Sequence, residues 1–161
     1  MWRLHASRYK ADDPGGSYRV SGRYNRGRDH FAEEEVFPAL YLATAPEVCL
    51  GEKQRHLVSG NLPQMRNQVL SELQVRLQNV CDLSSPEEFG FDAATLIEDH
   101  DYTFPQSFSA ALRRRGAEAF LVPSATLLGT NLVVLPDRLH EGSSLEVLQS
   151  KPTRLYVERP D

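Results

Sequence analysis

Apolar and polar positions follow three different rhythms along this chain, and each rhythm predicts a kind of element. Continuous apolar runs at residues 38–43, 119–123 and 132–136 predict short buried strands. Residues 2–5 predict an opening strand, cut off by Asp12-Asp13-Pro14-Gly15-Gly16, a plain loop signal. Between Met65 and Leu83 the period is two. Val69, Ser71, Leu73, Val75, Leu77 and Asn79 fall on one face; Leu70, Glu72, Gln74, Arg76, Gln78 and Val80 fall on the other. A long half-exposed strand is the expectation there, although Leu70, Leu73, Leu77 and Val80 also fit a helix.

Helix signals fill the gaps. Thr44 or Ala45 begins a helix with Pro46 in its first turn, where a missing N–H breaks no bond. That helix runs to about Leu57, sets Val48, Glu52 and His56 on related faces, and stops at Ser59-Gly60-Asn61. A helical turn opens at Ser85-Pro86-Glu87-Glu88. A further helix over 107–115 carries three arginines near its C-terminus, where the dipole favours them, and ends at Gly116. Residues 144–159 close the chain with apolar Leu145, Val147, Leu155, Tyr156 and Val157. Residues 21–30 are polar and glycine-punctuated, which puts Arg23 and Tyr24 on a loop or strand edge. No repeat, low-complexity tract or linker interrupts the pattern. The expected architecture is a single α+β domain over residues 1–161.

Composition narrows the classes. A chain of 161 residues, 40% hydrophobic and 25% charged, can bury a core and is not a disordered protein. The net charge of −4 argues against direct nucleic-acid binding, which favours a basic stripe. Arg19, Arg23, Arg26 and Arg28 still concentrate positive charge near the start, which fits a phosphorylated small ligand. Cys49 and Cys81 sit in apolar surroundings and read as buried thiols of a reducing compartment. No apolar leader follows Met1-Trp2-Arg3-Leu4-His5, and the longest apolar runs are too short to span a bilayer. A cytoplasmic protein without a membrane partner is expected.

Motif searching first removes chemistry. The chain has no P-loop, no dinucleotide-binding G-x-G-x-x-G, no H-E-x-x-H, no C-x-x-C and no G-x-S-x-G. His5, His30, His56, His100 and His140 are scattered without metal-ligand spacing, so no metal is expected. What remains is three islands: Gly22-Arg23-Tyr24-Asn25, Tyr41-Leu42-Ala43 leading to Glu52, and Pro123-Ser124-Ala125 followed by Asn131. Arg23 offers a planar fork for phosphate, and the glycine before it would let a ligand approach the backbone. Gly51 beside Glu52 would likewise open space. Each residue alone has a plain alternative: a solvated loop arginine, a surface glutamate, a core tyrosine, a turn serine.

Their joint order is more specific. Gly22-Arg23-Tyr24-Asn25, then Leu40-Tyr41-Leu42-Ala43 with Ala45-Pro46 and Glu52 ahead of His56, then Val122-Pro123-Ser124-Ala125 and Asn131 before Leu135-Pro136 resemble the RES domain family, named for an arginine, a glutamate and a serine. The likeness spans essentially the whole chain, weakly between Asn61 and Gln106. It departs at Tyr24, where a tryptophan is common, and at Gly51-Glu52-Lys53, which is more polar than usual. The resemblance implies a fold similar to ADP-ribosyltransferases, with mixed or antiparallel sheets and flanking helices. It implies the toxin of a bacterial RES–Xre toxin–antitoxin pair, which consumes NAD as substrate by hydrolysis or phosphorolysis. The partner would be an Xre-type antitoxin covering the active site, with a homodimer or larger toxin–antitoxin assembly left open. By the motifs, Arg23, Glu52 and Ser124 would be catalytic, and Arg23, Tyr24, Tyr41 and Asn131 would bind NAD. A protein ADP-ribosyltransferase toxin and a non-catalytic nucleotide-binding module are the alternatives.

The inventory suits that chemistry. Glycosidases need two carboxylates because an alkoxide leaving group must be protonated. The nicotinamide of NAD is already a cationic pyridinium and leaves neutral, so a single carboxylate, Glu52, suffices to stabilise the ribosyl cation. Arg23 would clamp the pyrophosphate, Tyr24 or Tyr41 would stack on nicotinamide or ribose, and Ser124 would contact the ligand or orient Glu52.

Overall fold

The strands among the described residues make one sheet that is firmly paired on both sides of a weak joint. The computed structural model describes residues 1–58, 67–126 and 128–153, without the side chains of 55–58. The expected stop at 59–61, the His56 side chain and the end of the closing segment lie outside the described residues. In chain order the elements are β1 (Trp2–Ala6), α1 (Gly15–Arg19), β2 (Leu40–Ala43), α2 (Pro46–Val58), β3 (Gln68–Arg76), β4 (Val80–Asp82), α3 (Ala93–Ile97), α4 (Thr103–Arg114), β5 (Ala119–Pro123), β6 (Thr130–Val134) and β7 (Ser144–Thr153). Short 3₁₀ turns occupy Glu33–Glu35, Pro86–Phe89 and Pro136–Arg138. No helix among the described residues is long and apolar enough to cross a membrane.

The seven strands lie in the order β4-β5-β6-β2-β1-β3-β7, and only β4 and β5 run parallel. This is the mixed, mainly antiparallel α+β arrangement expected. β2 pairs β6 from Leu40 to Ala43, and β1 pairs β3 from Trp2 to Ala6. β1 and β2 meet only at Trp2↔Ala43. The half-sheet β4-β5-β6-β2 and the half-sheet β1-β3-β7 therefore diverge beyond one rung. α2 covers the joint: Ala43, Val48 and Cys49 pack there with Trp2, Leu4, Ala45 and Leu70.

The continuous apolar runs have a simple cause, since the first half-sheet is apolar on both faces. Phe120, Val122 and Val133 face a core completed by Leu96 of α3, Ala110 of α4, Phe37 and Tyr24. Leu40, Leu42, Leu132 and Val134 face the other way and join Leu73 of β3. β3 keeps its period of two, with Ser71 and Leu73 buried and Gln74 and Arg76 exposed.

Four features differ from expectation. The single long strand expected between Met65 and Leu83 is two: β3 ends at Arg76, and β4 crosses to the opposite edge of the sheet to pair with β5, because the chain turns at Gln78 and Asn79, whose N–H groups go to Glu118. α4 starts at Thr103, ahead of Ser107, because Pro105 lies in its first turn, where no intrahelical N–H is lost. It ends as expected, with Gly116 in the left-handed conformation at φ 84°. α1 forms within a stretch read as loop, nucleated by Asp13, whose Oδ1 accepts from the Gly15 N–H at 2.7 Å. β6 begins at Thr130, before the apolar run.

Glu118 anchors the far end of the sheet. It is fully buried, and its carboxylate accepts from the backbone N–H groups of Gln78 (2.6 Å), Asn79 (2.8 Å) and His140 (2.6 Å). Burial alone would raise its pKa, but the neighbouring Ser143 hydroxyl and those three N–H groups outweigh it and hold the carboxyl at about 2.

Candidate active site

The divergence of β1 and β2 opens a cleft of about 340 Å³. Leu4 and Leu42 line its strand walls, α2 contributes Cys49, Glu52 and Lys53, and the loop after α1 contributes Ser21, Gly22 and Arg23. Tyr41, Ala43, Asn131 and Tyr102 complete the lining. A concave site with a few convergent polar groups in an apolar surround is the usual form of a small-molecule site.

Glu52 lies in the second turn of α2 and points at the end of β5. Its Oε1 accepts three hydrogen bonds: from Ser124 Oγ at 2.6 Å, the Ala125 N–H at 3.0 Å and Asn131 Nδ2 at 3.0 Å. Among the described residues no donor is assigned to Oε2. One carboxylate oxygen is thus fully committed to the protein, while the residue still lines the cleft. Ser124 is completely buried and also meets Thr126 Oγ1 at 2.7 Å. It lies behind Glu52, in contact with the carboxylate and apart from the residues that line the cleft.

The loop 22–25 is held from every side. Tyr41 Oη accepts from the Tyr24 N–H and donates to Asn25 Oδ1, both at 2.9 Å. Asn25 Nδ2 donates to the carbonyls of Ser17 (2.6 Å) and Val20 (2.9 Å), and Gln106 Nε2 donates to the Gly22 carbonyl at 2.9 Å. Burial raises the pKa of the Tyr41 phenol, which stays protonated and able to donate. A Cβ on Gly22 would stand 2.6 Å from Asn25 Oδ1 and 2.9 Å from Tyr41 Oη. The glycine therefore makes room for this hydrogen-bond network, not for a ligand. Gly51 is similar: a Cβ there would stand 3.1 Å from Leu128 Cδ1 and 3.3 Å from Thr126 Cγ2, so the space beside Glu52 is filled by the loop after β5.

Arg23 reaches across to the connection between α3 and α4. Its Nε donates to the Glu98 carbonyl at 3.0 Å and its Nη2 to Asp99 Oδ1 at 2.5 Å, and its guanidinium carbon sits 5.7 Å from the centre of the Tyr102 ring. The remaining arginines do not form the expected positive patch. Arg26 pairs with Glu35 at 3.3 Å and Arg28 with Glu33 at 2.6 Å, while Arg19 donates to Tyr9 Oη.

The structure thus brings Arg23, Tyr41, Glu52 and Asn131 to one cleft, with Ser124 behind the carboxylate. Tyr24 is not among them. Its ring packs edge-on against Phe120 at 5.2 Å, its hydroxyl donates to the Leu96 carbonyl at 2.6 Å, and it is 3% exposed. Only its backbone N–H serves the site, through Tyr41. Asp99, Tyr102 and Lys53 were not singled out by the sequence. Burial lowers the pKa of Lys53. Cys49 in the cleft wall is an inert thiol, pushed up by burial to about 11, and Cys81 is half-buried and also free.

Fold and site together define a class: an α+β domain whose sheet parts at one rung, with a pinned carboxylate and a held guanidinium in the opening. The chain belongs to the RES domain family, whose model matches residues 1–156. The fold is shared with a chain of the M. tuberculosis MbcT–MbcA toxin–antitoxin complex, with a TM-score of 0.78 at 24% identity over 95% of this chain and 82% of that one. No curated protein sequence matches the chain.

Proposed function

We propose that this protein is the toxin of a toxin–antitoxin pair and acts by cleaving the nicotinamide–ribose bond of NAD. The observation that carries the reading is the carboxylate of Glu52, with three donors on Oε1 and its other oxygen left to a cleft shared with Arg23. Such a group is pre-organised and pays no reorganisation cost when positive charge develops nearby. Family membership supports the reading, and the shared fold comes from a protein crystallised with its antitoxin.

In this mechanism Arg23 holds the pyrophosphate and Tyr41 offers a ring face to nicotinamide or ribose. Glu52 Oε2 faces the ribose and stabilises the oxocarbenium-like cation as the C–N bond breaks. The bonding pair leaves with nicotinamide, which becomes neutral, so no general acid is needed. Water, losing a proton, or inorganic phosphate then takes the ribosyl carbon. Ser124 and Asn131 fix the carboxylate; Ser124 is a positioning residue on this reading. The antitoxin, of Xre type, would cover the cleft in the cytoplasm.

The test is purified full-length protein with NAD, followed by loss of the dinucleotide and identification of products. Arg23→Ala and Glu52→Ala are each expected to abolish turnover without unfolding the chain. Full turnover by Glu52→Gln would refute the role given to the carboxylate. Acceleration by phosphate with a phosphorylated ADP-ribose product identifies phosphorolysis; free ADP-ribose at an unchanged rate identifies hydrolysis.

A further inference from the structure

The connection 98–102 forms a wall of the cleft that no sequence motif marks. It grips Arg23 in three ways, through the Glu98 carbonyl, the Asp99 carboxylate and the Tyr102 ring. The two hydrogen bonds use Nε and one hydrogen of Nη2. A guanidinium has five N–H donors in a fixed fork, so the Nη1–Nη2 edge keeps its donors. That edge is a planar pair suited to a diphosphate. A long side chain already fixed in place loses little rotamer freedom when its ligand arrives.

A purely structural role for the ion pair would be to fasten the loop 22–25 to the helical layer. That fastening exists without it. Gln106 of α4 holds the Gly22 carbonyl, and Tyr24 Oη holds the Leu96 carbonyl of α3. The pair is also sheltered, with side chains 15% and 31% exposed against 54% and 70% for Arg28 and Glu33. Tyr102 lines the cleft, whereas Tyr24 faces the core.

We propose, on the NAD reading above, that Asp99 is a positioning residue presenting the Arg23 fork to the pyrophosphate, and that Tyr102 is a ligand contact offering its ring to the dinucleotide. The ring role expected of Tyr24 passes to a residue far along the chain.

The experiment is steady-state NAD loss by the full chain, with melting temperatures alongside. Asp99→Ala is expected to raise KM about tenfold with kcat within about twofold, the cost of an Arg23 fork no longer held ready for the pyrophosphate. Asp99→Asn, which keeps the shape and removes the charge, should fall between it and wild type. Tyr102→Ala should raise KM severalfold more than Tyr102→Phe does, because the ring carries the contact. An Asp99→Ala chain with unchanged KM, or whose only change is a lower melting temperature, overturns the positioning role. Tyr102→Phe as impaired as Tyr102→Ala overturns the ring contact. Wild-type protein that leaves NAD intact overturns the NAD reading and this inference with it. Wild-type turnover with both alanine variants unaffected overturns this inference alone.

Discussion

Two glutamates in this protein each receive three hydrogen bonds from distant parts of the chain, and they are built for opposite purposes. Glu118 spreads its donors over both oxygens, two N–H groups on Oε2 and one on Oε1, and has no exposed surface. Glu52 gathers all three on Oε1 and lines a cleft. The first carboxylate is used up by the fold. The second is aimed by it. An equal number of hydrogen bonds thus leaves one carboxylate with donors on both oxygens and the other with donors on Oε1 alone.

The comparison is broken most severely by exchanging each carboxylate for its amide. Glu52→Gln should lower NAD turnover at least about a hundredfold, the cost of losing a pre-organised charge, with an unchanged melting temperature. Glu118→Gln should do the reverse. Its amide turns a donor toward buried N–H groups, costing roughly 3 kcal/mol, or a melting shift on the order of 10 °C, at unaltered kcat. If both variants lose activity and stability together, the distinction fails.

A pH series sharpens the same contrast. Glu118 is held at about 2 in the fold against an ordinary 4.5. As pH falls below 4.5 the unfolded chain takes up a proton that the folded chain refuses, so stability declines between about pH 4.5 and 2 and is complete above that window. Urea unfolding at several pH values should show this decline in wild type and a weaker one in Glu118→Gln. Next in size is Gly22→Ala, whose new Cβ meets Asn25 and Tyr41; a loss of about 1–3 kcal/mol and slower turnover are expected. Ser124→Ala should lower kcat about tenfold by loosening one of three donors on Glu52. Smallest is Arg28→Ala, which removes an exposed pair with Glu33 and is expected to leave the melting temperature nearly unchanged.

Much of this was legible from local pattern. Apolar runs marked β2, β5 and β6, and alternation marked β3, because both signals lie within a few consecutive residues. Arg23, Glu52 and Asn131, read from separate islands, meet at one cleft, with Ser124 behind the carboxylate. Asp99 and Tyr102 were not legible, since they sit in a polar connection and matter only through contacts with Arg23, 75 or more positions away in sequence. Glu118 reads as any surface glutamate until the turns at Gln78 and His140 close over it. Tyr24 reads as a ligand contact from its place beside Arg23, yet neighbouring residues on a loop can face opposite ways: Arg23 reaches the cleft while the next side chain enters the core. The parting of β1 from β2 depends on register, which alternation does not encode.

The single rung at Trp2 and Ala43 has a mechanical consequence. α2 rests on both strands at that rung and carries Glu52 on its inner side. The joint behaves as the crown of an arch with α2 as its keystone: α2 rests on both banks, while the carboxylate it carries is tied by Ser124, Ala125 and Asn131 to the β5–β6 bank alone. A change in the angle between the half-sheets would therefore shift the β1 wall, with Leu4, relative to Glu52 while leaving the carboxylate's three hydrogen bonds in place.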